Sequence, residues 1–239
     1  MYFCDLVDCN YADTCSTGLK LKFIYEVHCC TSESCGALAF TMFNVSSLIE
    51  KENTLALLID CQPGFLSRLE PEAAQQTTQV IKIAVRAFYL LNVPILATVE
   101  LEAVHGSILP EVSNCIETLP NTLEKHRFGF ADQVNLLDLI RLQSRSQIIL
   151  LGFETDVCIC QSALGLMDAG FYPRVVADGV GSPGTGQEDG LRRMLQQGII
   201  IQNLRSLLFE LGRSPTAIRQ LRQRYLAQYD AKICDVLGF

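Results

Sequence analysis

The stretch LGFETDVCIC, residues 151–160, joins an apolar run to two acids, a threonine and two cysteines. A buried strand of leucine and isoleucine needs none of those polar groups, so the segment reads as a place where chemistry is positioned. Thr155 or Asp156 can cap a helix that begins there, which sets Cys158 in its first turn. Unpaired N–H groups and the positive end of the helix dipole then face the thiol. Both favour the thiolate, the form that attacks carbonyl carbon. The plainer alternative is a buried structural cysteine, because a free thiol packs as a small hydrophobe. Cys160 should point elsewhere and reads as core, as do Cys115 and Cys234. Asp60 closes the apolar run TLALLID (54–60). A carboxylate there is costly unless paired or solvated, and it serves either as a helix cap or as a proton acceptor for a thiol. Lys125, within LEKHRFGF, lies on the same expected edge and taken alone reads as a solvated surface charge.

These residues need a frame. TLALLID, VPILATVE (93–100), QIILLGF (147–153), RVVAD (174–178) and IIIQ (199–202) are short apolar runs expected as strands. Helices are expected over 71–91, 132–143, 156–169, 187–197 and 214–229. Pro71 and Glu72 open the first, and Gly170 and Gly198 close the third and fourth. Residues 101–124 hold Pro110 and Pro120 and read as a long loop of active-site type with about one turn of helix. Strand alternating with helix implies an α/β fold, a mostly parallel sheet covered by helices on both faces. Ligands of such sheets bind beyond the carboxyl ends of the strands, where Asp60, the Cys158 loop and Asp178 all fall.

Composition narrows the partners. A net charge of −7 without a basic run argues against binding a phosphate backbone, so no nucleic acid is expected and a small-molecule substrate is. No apolar run reaches the roughly 18 residues that span a bilayer, so no membrane partner is expected. The N-terminal MYFCDLVDCN has no basic start followed by an apolar core, and a cytoplasmic location is expected. Six of the 11 cysteines lie in the first 35 residues, at Cys4, Cys9, Cys15, Cys29, Cys30 and Cys35. With His28 they suggest zinc, but their gaps do not make paired C-x2-C units. A Cys-rich extension of irregular structure is expected over 1–45, with the catalytic domain over 46–239 and a natural entry near Met42. Deleting residues 1–41 should leave a soluble, stable protein. Asn44-Val45-Ser46 is a glycosylation sequon that matters only in a secreted chain.

Three segments together resemble the cysteine hydrolases of the isochorismatase-like superfamily, which includes nicotinamidases and related amidases. ALLIDCQPGF (56–65) resembles the family's apolar strand followed by Asp, x-Gln and Phe. KHRFGF (125–130) resembles its segment with a catalytic Lys. GFETDVCICQSALGLMDAGF (152–171) resembles its Cys segment and helix, and is the most specific of the three. The resemblance runs over roughly 54–215 and has no counterpart for residues 1–45. It implies a three-layer α-β-α fold with a six-stranded, doubly wound sheet, and a catalytic triad of Asp60, Lys125 and Cys158. It implies a cis peptide at Phe153-Glu154, with the backbone N–H groups of Glu154 and Cys158 forming an oxyanion hole. It further implies a mechanism in which Asp60 takes the thiol proton, Lys125 holds Asp60, and Cys158 attacks an amide carbonyl to give a thioester. Members are usually oligomers, so a homo-oligomer is expected.

The chain also departs from the family. Nicotinamidases commonly hold a metal through an Asp-x-His and a second His after the second strand. Here that region reads ATVELEAVHGS, with His105 its only histidine and Glu100 and Glu102 the nearby acids. No catalytic metal and no cofactor are expected, which makes nicotinamide a less favoured substrate. Isochorismatases proper use an Asp/Lys site in which the Cys is dispensable, so vinyl-ether hydrolysis is one alternative. A non-catalytic interaction subunit is another. Glu154 puts an acid where small apolar residues are common and either contacts substrate or faces solvent. His126 and Arg127 read as surface charges beside Lys125. Residues 179–184, GVGSPG, match the dinucleotide fingerprint literally. However, they follow a late strand, contain Pro183, and precede a strand that ends in Gln202 and Asn203 with no acid to hold a ribose. A loop rimming the pocket is expected there instead. No motif names the substrate.

Overall fold

In a computed structural model, residues 48–117, 119 and 122–238 are described. The expectations about the N-terminal cysteines, His28, Met42 and the sequon lie outside these residues. Six strands are present: β1 (Thr54–Ile59), β2 (Ile95–Glu100), β3 (Thr122–Lys125), β4 (Gln147–Phe153), β5 (Tyr172–Gly181) and β6 (Ile200–Gln202). All pair in parallel, in the order β3-β2-β1-β4-β5-β6. The chain therefore winds outward from β1 in one direction, returns to its other side at β4, and winds outward again. The reversal leaves a crevice beyond the carboxyl ends of β1 and β4, the place where such sheets take ligands.

The first helices are α1 (Pro63–Leu66), α2 (Pro71–Leu91), α3 (Glu102–His105), α4 (Pro110–Ser113) and α5 (Val134–Leu142). They are followed by α6 (Cys160–Asp168), α7 (Gly186–Gln196), α8 (Leu204–Gly212), α9 (Pro215–Gln228) and α10 (Lys232–Leu237). Side chains alternate across a strand, and β1 uses both faces. Ala56 and Leu58 join the core beneath α2, α8, α9 and α10, whereas Leu55, Leu57 and Ile59 join the core beneath α5, α6 and α7. Burying each such leucine or isoleucine contributes about 1.5–3 kcal/mol. The longest helix, α2, follows its pattern closely. Pro71 stands at its start, Glu72 lies in its first turn, and Ile81, Ala84, Val85 and Phe88 are buried at helical spacing. Asn92, at φ 57°, closes it in the left-handed region.

Three expectations need correction. Residues 101–124 hold two short helices, α3 and α4, and the first residues of β3, an edge strand that carries Lys125. Residues 179–181 continue β5, where Gly181 pairs with Phe153, and α7 begins at Gly186. The first half of the apparent dinucleotide fingerprint is thus strand, and only residues 182–184 form a loop. Finally, the turn after β4 is not the first turn of an ordinary α-helix. Residues Thr155–Ile159 form a π-turn, and α6 proper starts at Cys160.

Candidate active site

Each of four strands delivers one reactive side chain to the same edge. Asp60 directly follows β1 and is buried, with φ 51°, a left-handed conformation that Asp tolerates better than most residues. Its N–H donates to the Thr98 carbonyl at 3.2 Å, which ties the turn to β2. Glu100 ends β2 and Lys125 ends β3, and the two are register partners across that parallel pair. Cys158 lies in the π-turn after β4. All four side chains are buried.

They meet in one cluster. Lys125 Nζ lies 2.7 Å from Asp60 Oδ2 and 2.8 Å from Glu100 Oε2. It also donates to the Arg127 carbonyl at 3.1 Å and lies 3.5 Å from Cys158 Sγ. The Cys158 thiol donates to Glu100 Oε2 at 3.3 Å. Thr98 Oγ1 donates to Asp60 Oδ1 at 2.9 Å, so both Asp60 oxygens are engaged. Glu100 Oε1 faces the other way, 3.9 Å from His105 Nε2, and the His105 ring stacks on Phe65 with centroids 4.5 Å apart.

Gln62 holds this arrangement from behind. Its Oε1 accepts from the Glu100 N–H at 2.7 Å, and its Nε2 donates to the Glu100 carbonyl at 3.1 Å and the Gly106 carbonyl at 2.5 Å. One buried amide therefore satisfies both backbone groups of Glu100, which would otherwise be costly to bury. Gly152 sets the spacing of β1 and β4. Its φ is +123°, and a Cβ there would stand 1.8 Å from the Ile59 carbonyl oxygen. Only glycine lets the strand carrying the cysteine approach the strand carrying Asp60 this closely.

The turn that presents Cys158 is anchored on its far side. The Phe153-Glu154 peptide is cis, at the position expected. The Glu154 carbonyl accepts from Val157 N at 3.3 Å and Ile159 N at 3.0 Å, passing over Cys158. Thr155 and Asp156 do not cap a helix, contrary to expectation. Thr155 Oγ1 donates to Gln187 Oε1 at 2.5 Å, and Asp156 Oδ1 accepts from Ser182 Oγ at 2.6 Å. Both side chains are used to tie the turn to the β5–α7 corner. Gly190 of α7 packs against the turn so closely that a Cβ would lie 2.7 Å from Asp156 Cα.

Electrostatics correct one expectation. Burial first, then the Asp60 charge, push the Cys158 thiol far above its ordinary value, and Lys125 opposes them only in part. The expected thiol-lowering effect of a helix start loses to desolvation and to two nearby carboxylates. The resting group is therefore the thiol. Burial also raises the Asp60 carboxyl above its usual range, against the pull of Lys125. For Lys125, burial pulls downward, but Asp60, Cys158 and Glu100 together outweigh it and hold the ammonium above its usual value. Asp60, Glu100 and Cys158 offer donor atoms within 4.8 Å of one another, a set that could hold a metal. Lys125 Nζ already touches both carboxylates, however, and supplies the positive charge that a cation would bring.

The other candidates fall outside the cluster. Glu154 neither faces solvent nor stands free: it is buried and paired with Arg68 Nη1 at 3.1 Å, and that guanidinium stacks 5.0 Å from the Phe65 ring centre. Asp178 Oδ1 accepts from Leu204 N at 2.8 Å, capping α8. His126 and Arg127 are exposed, and Cys160 is buried in the core beneath α5–α7. Three contributors go beyond the expected triad and oxyanion hole: Glu100 as a member of the site, and Thr98 and Gln62 as its supports. A signal for Glu100 exists, since ILATVE ends an apolar run in an acid just as TLALLID does.

Comparison with known proteins agrees with this geometry. The family model described as "Isochorismatase domain" matches residues 54–206, well over half of the chain. The "Secreted isochorismatase effector Isc1" of Phytophthora sojae is 32% identical over 132 residues, covering 54% of this chain and 63% of that protein. The "Probable hydrolase YcaC" of Escherichia coli is 25% identical over 138 residues, covering 56% and 65%. Both matches thus span slightly under two thirds of the relative's own length. The crystal structure of the Escherichia coli YcaC product, described as an octameric hydrolase of unknown specificity, superposes with a TM-score of 0.67. That superposition covers 80% of this chain and 97% of that one, at 21% identity.

Proposed function

The chain belongs to the isochorismatase family, and from that premise we propose that it is a hydrolase of small-molecule amide C–N bonds, acting through a thioester on Cys158. The observation that carries this reading is the meeting of a buried thiol, a buried ammonium and two buried carboxylates at the carboxyl ends of adjacent parallel strands. Asp60, Lys125 and Cys158 form the catalytic triad. Because the resting sulfur is protonated, attack on the carbonyl is coupled to transfer of the thiol proton onto the carboxylates. The new S–C bond turns the carbonyl into an oxyanion, which the N–H groups of Glu154 and Cys158 receive. Lys125 offsets the negative charge as it redistributes. A carboxyl whose affinity for protons is raised by burial, as in Asp60, is suited to hold the proton and pass it to the departing amine. The C–N bond then breaks, leaving the thioester. A water molecule deprotonated by the same carboxylate attacks the thioester, the acid departs, and the sulfur regains its proton.

One observation favours a second reading. A thiol held far from ionisation suits an enzyme in which Asp60 and Lys125 act alone, as in vinyl-ether hydrolysis. Ammonia release from a panel of small amides, ureido acids and nicotinamide, by wild type beside Cys158→Ala, separates the two. Release by wild type alone is expected. Equal release by both would overturn the cysteine mechanism and favour Asp/Lys chemistry.

We also propose a homo-oligomer. The similar Escherichia coli protein is described as octameric. In addition, Leu101, Val104 and Phe128 are exposed on segments that flank Glu100 and Lys125, giving the rim of the site an apolar character suited to a neighbouring subunit. Light scattering on the full chain should give a mass that is a multiple of the subunit, and a monomer at micromolar concentration would refute it.

A further inference from the structure

We propose that Glu100 is a fourth catalytic residue, the carboxylate that takes the Cys158 thiol proton as the sulfur attacks. This deepens the cysteine-hydrolase reading and rests on it. The geometry points to Glu100 before Asp60. Asp60 Oδ1 accepts from Thr98 at 2.9 Å, and Oδ2 lies 2.7 Å from Lys125 Nζ as an ion pair. Glu100 Oε2 is the carboxylate oxygen to which the thiol donates, at 3.3 Å, and Lys125 steadies that oxygen from 2.8 Å.

A purely structural role explains less. Lys125 already has one buried counter-ion in Asp60. A second buried carboxylate leaves two negative charges to one positive, an excess that costs stability unless it is used. A thiol proton is what the excess can accept. In the step, the S–H bond breaks and the proton joins Glu100 Oε2. The sulfur keeps the electron pair and forms the S–C bond, and the carbonyl π pair moves onto oxygen. Lys125, in contact with both carboxylates, then gives a proton to Asp60 for the departing amine and is reprotonated by Glu100, which is ionised again. Total charge within the cluster and substrate is unchanged, so no ion need enter a buried site. Glu100 is also held firmly enough to receive the proton. Its own peptide is gripped at N–H and carbonyl by Gln62, and its register partner is Lys125.

The test uses the full chain and two readouts, one of which needs no substrate. The pH midpoint of Cys158 alkylation by iodoacetamide, followed by mass spectrometry, reports the charge facing the sulfur. Glu100→Gln should lower that midpoint, because the facing charge is gone, while turnover falls by about 10²–10⁴-fold, the usual contribution of a general base. Loosened packing would raise alkylation at every pH without moving the midpoint. An unchanged midpoint overturns the proposal whatever the turnover data say. Turnover within about threefold of wild type in Glu100→Gln, with Cys158→Ala inactive, overturns it too and leaves the cysteine reading intact. An active Cys158→Ala would instead overturn the reading on which the proposal rests. If Glu100→Gln does not fold, Glu100→Asp keeps the charge for Lys125 but withdraws it from the sulfur. It should lose at least about tenfold in turnover with its melting curve retained, and full turnover in that variant also refutes the role.

Discussion

Two buried ion clusters lie at opposite ends of the same sheet, and they are built on different principles. Toward the amino ends of the strands, Arg174 of β5 is buried and pairs with Glu210 of α8 at 3.1 Å. Glu210 also accepts from the Ile49 N–H at 3.1 Å. A third charge, Arg213, is exposed and donates to the Ile49 carbonyl. Among the described residues one buried cation thus pairs with a carboxylate, and the remaining contacts hold the backbone at Ile49. At the carboxyl ends, one ammonium meets two carboxylates and a thiol. The first cluster pairs its buried cation with a carboxylate and fastens the backbone. The second holds more carboxylates than cations together with a thiol, and Gln62 and Thr98 anchor it. What separates a structural ion pair from a reactive one here is the group left over once the charges are matched.

Breaking the reactive cluster should give the largest effects. Cys158→Ala should abolish turnover, and Asp60→Asn should nearly do so, whereas neither should lower the melting temperature greatly. Asp60→Asn removes a carboxylate that burial already disfavours in its charged form and leaves Lys125 paired with Glu100. Thermal unfolding beside an ammonia-release assay checks both. A large stability loss in Asp60→Asn would mean that the cluster is structural after all.

Lys125→Met should be the most destabilising change in the cluster, by about 3–5 kcal/mol, because it leaves buried carboxylates without their cation. Its pH dependence has a definite sign. Without Lys125 the folded-state value of the Asp60 carboxyl rises further above the unfolded value of about 4. A raised folded value gives stability that is present at low pH and lost as pH rises through it. The deficit against wild type should therefore shrink toward pH 4 and grow toward pH 8. Urea denaturation across that range measures it, and a deficit independent of pH would break the comparison.

The Arg174–Glu210 cluster should respond differently. Arg174→Ala should cost about 3–5 kcal/mol, since it strands a partly buried carboxylate, and should leave turnover per folded molecule unchanged. A double change to Arg174→Met and Glu210→Leu should recover most of that loss in the same urea titration. The smallest effect is expected from Gln62→Ala. It leaves the Glu100 N–H and carbonyl unsatisfied at about 1–3 kcal/mol and should lower kcat more than it raises KM.

The scaffold is legible in the sequence wherever burial forces a pattern. After their first residues, Thr54 and Gln147, the β1 and β4 runs are apolar because both faces are covered, and α2 shows its spacing because one face is. Asp60 and Cys158 stand out by interrupting such runs. Other features lack that signature. Strand β3 is four residues, TLEK, at an open edge with exposed positions, and only its pairing to β2 makes it a strand. Glu100 is legible as an acid at a strand end, but its distance to a lysine 25 residues away follows from that edge pairing, which no local pattern announces. The direction of the thiol shift is unreadable for the same reason. A helix start can be inferred from local sequence, whereas a second carboxylate beside the sulfur depends on tertiary packing.

Gly152 has a further consequence for how this molecule can change over time. The distance between the strand that bears Asp60 and the strand that precedes Cys158 is set by main chain against main chain, at a point where a Cβ would lie 1.8 Å from a carbonyl oxygen. No side chain acts as the spacer, so none needs to be retained to keep it. The segments above the sheet, including 101–113 and the tip near Phe128, can therefore be exchanged or lengthened to suit a new substrate while the reacting groups keep their separation. Binding preference and bond-breaking geometry are in this sense inherited separately, the one in replaceable loops and the other in a single hydrogen atom where every other residue carries carbon.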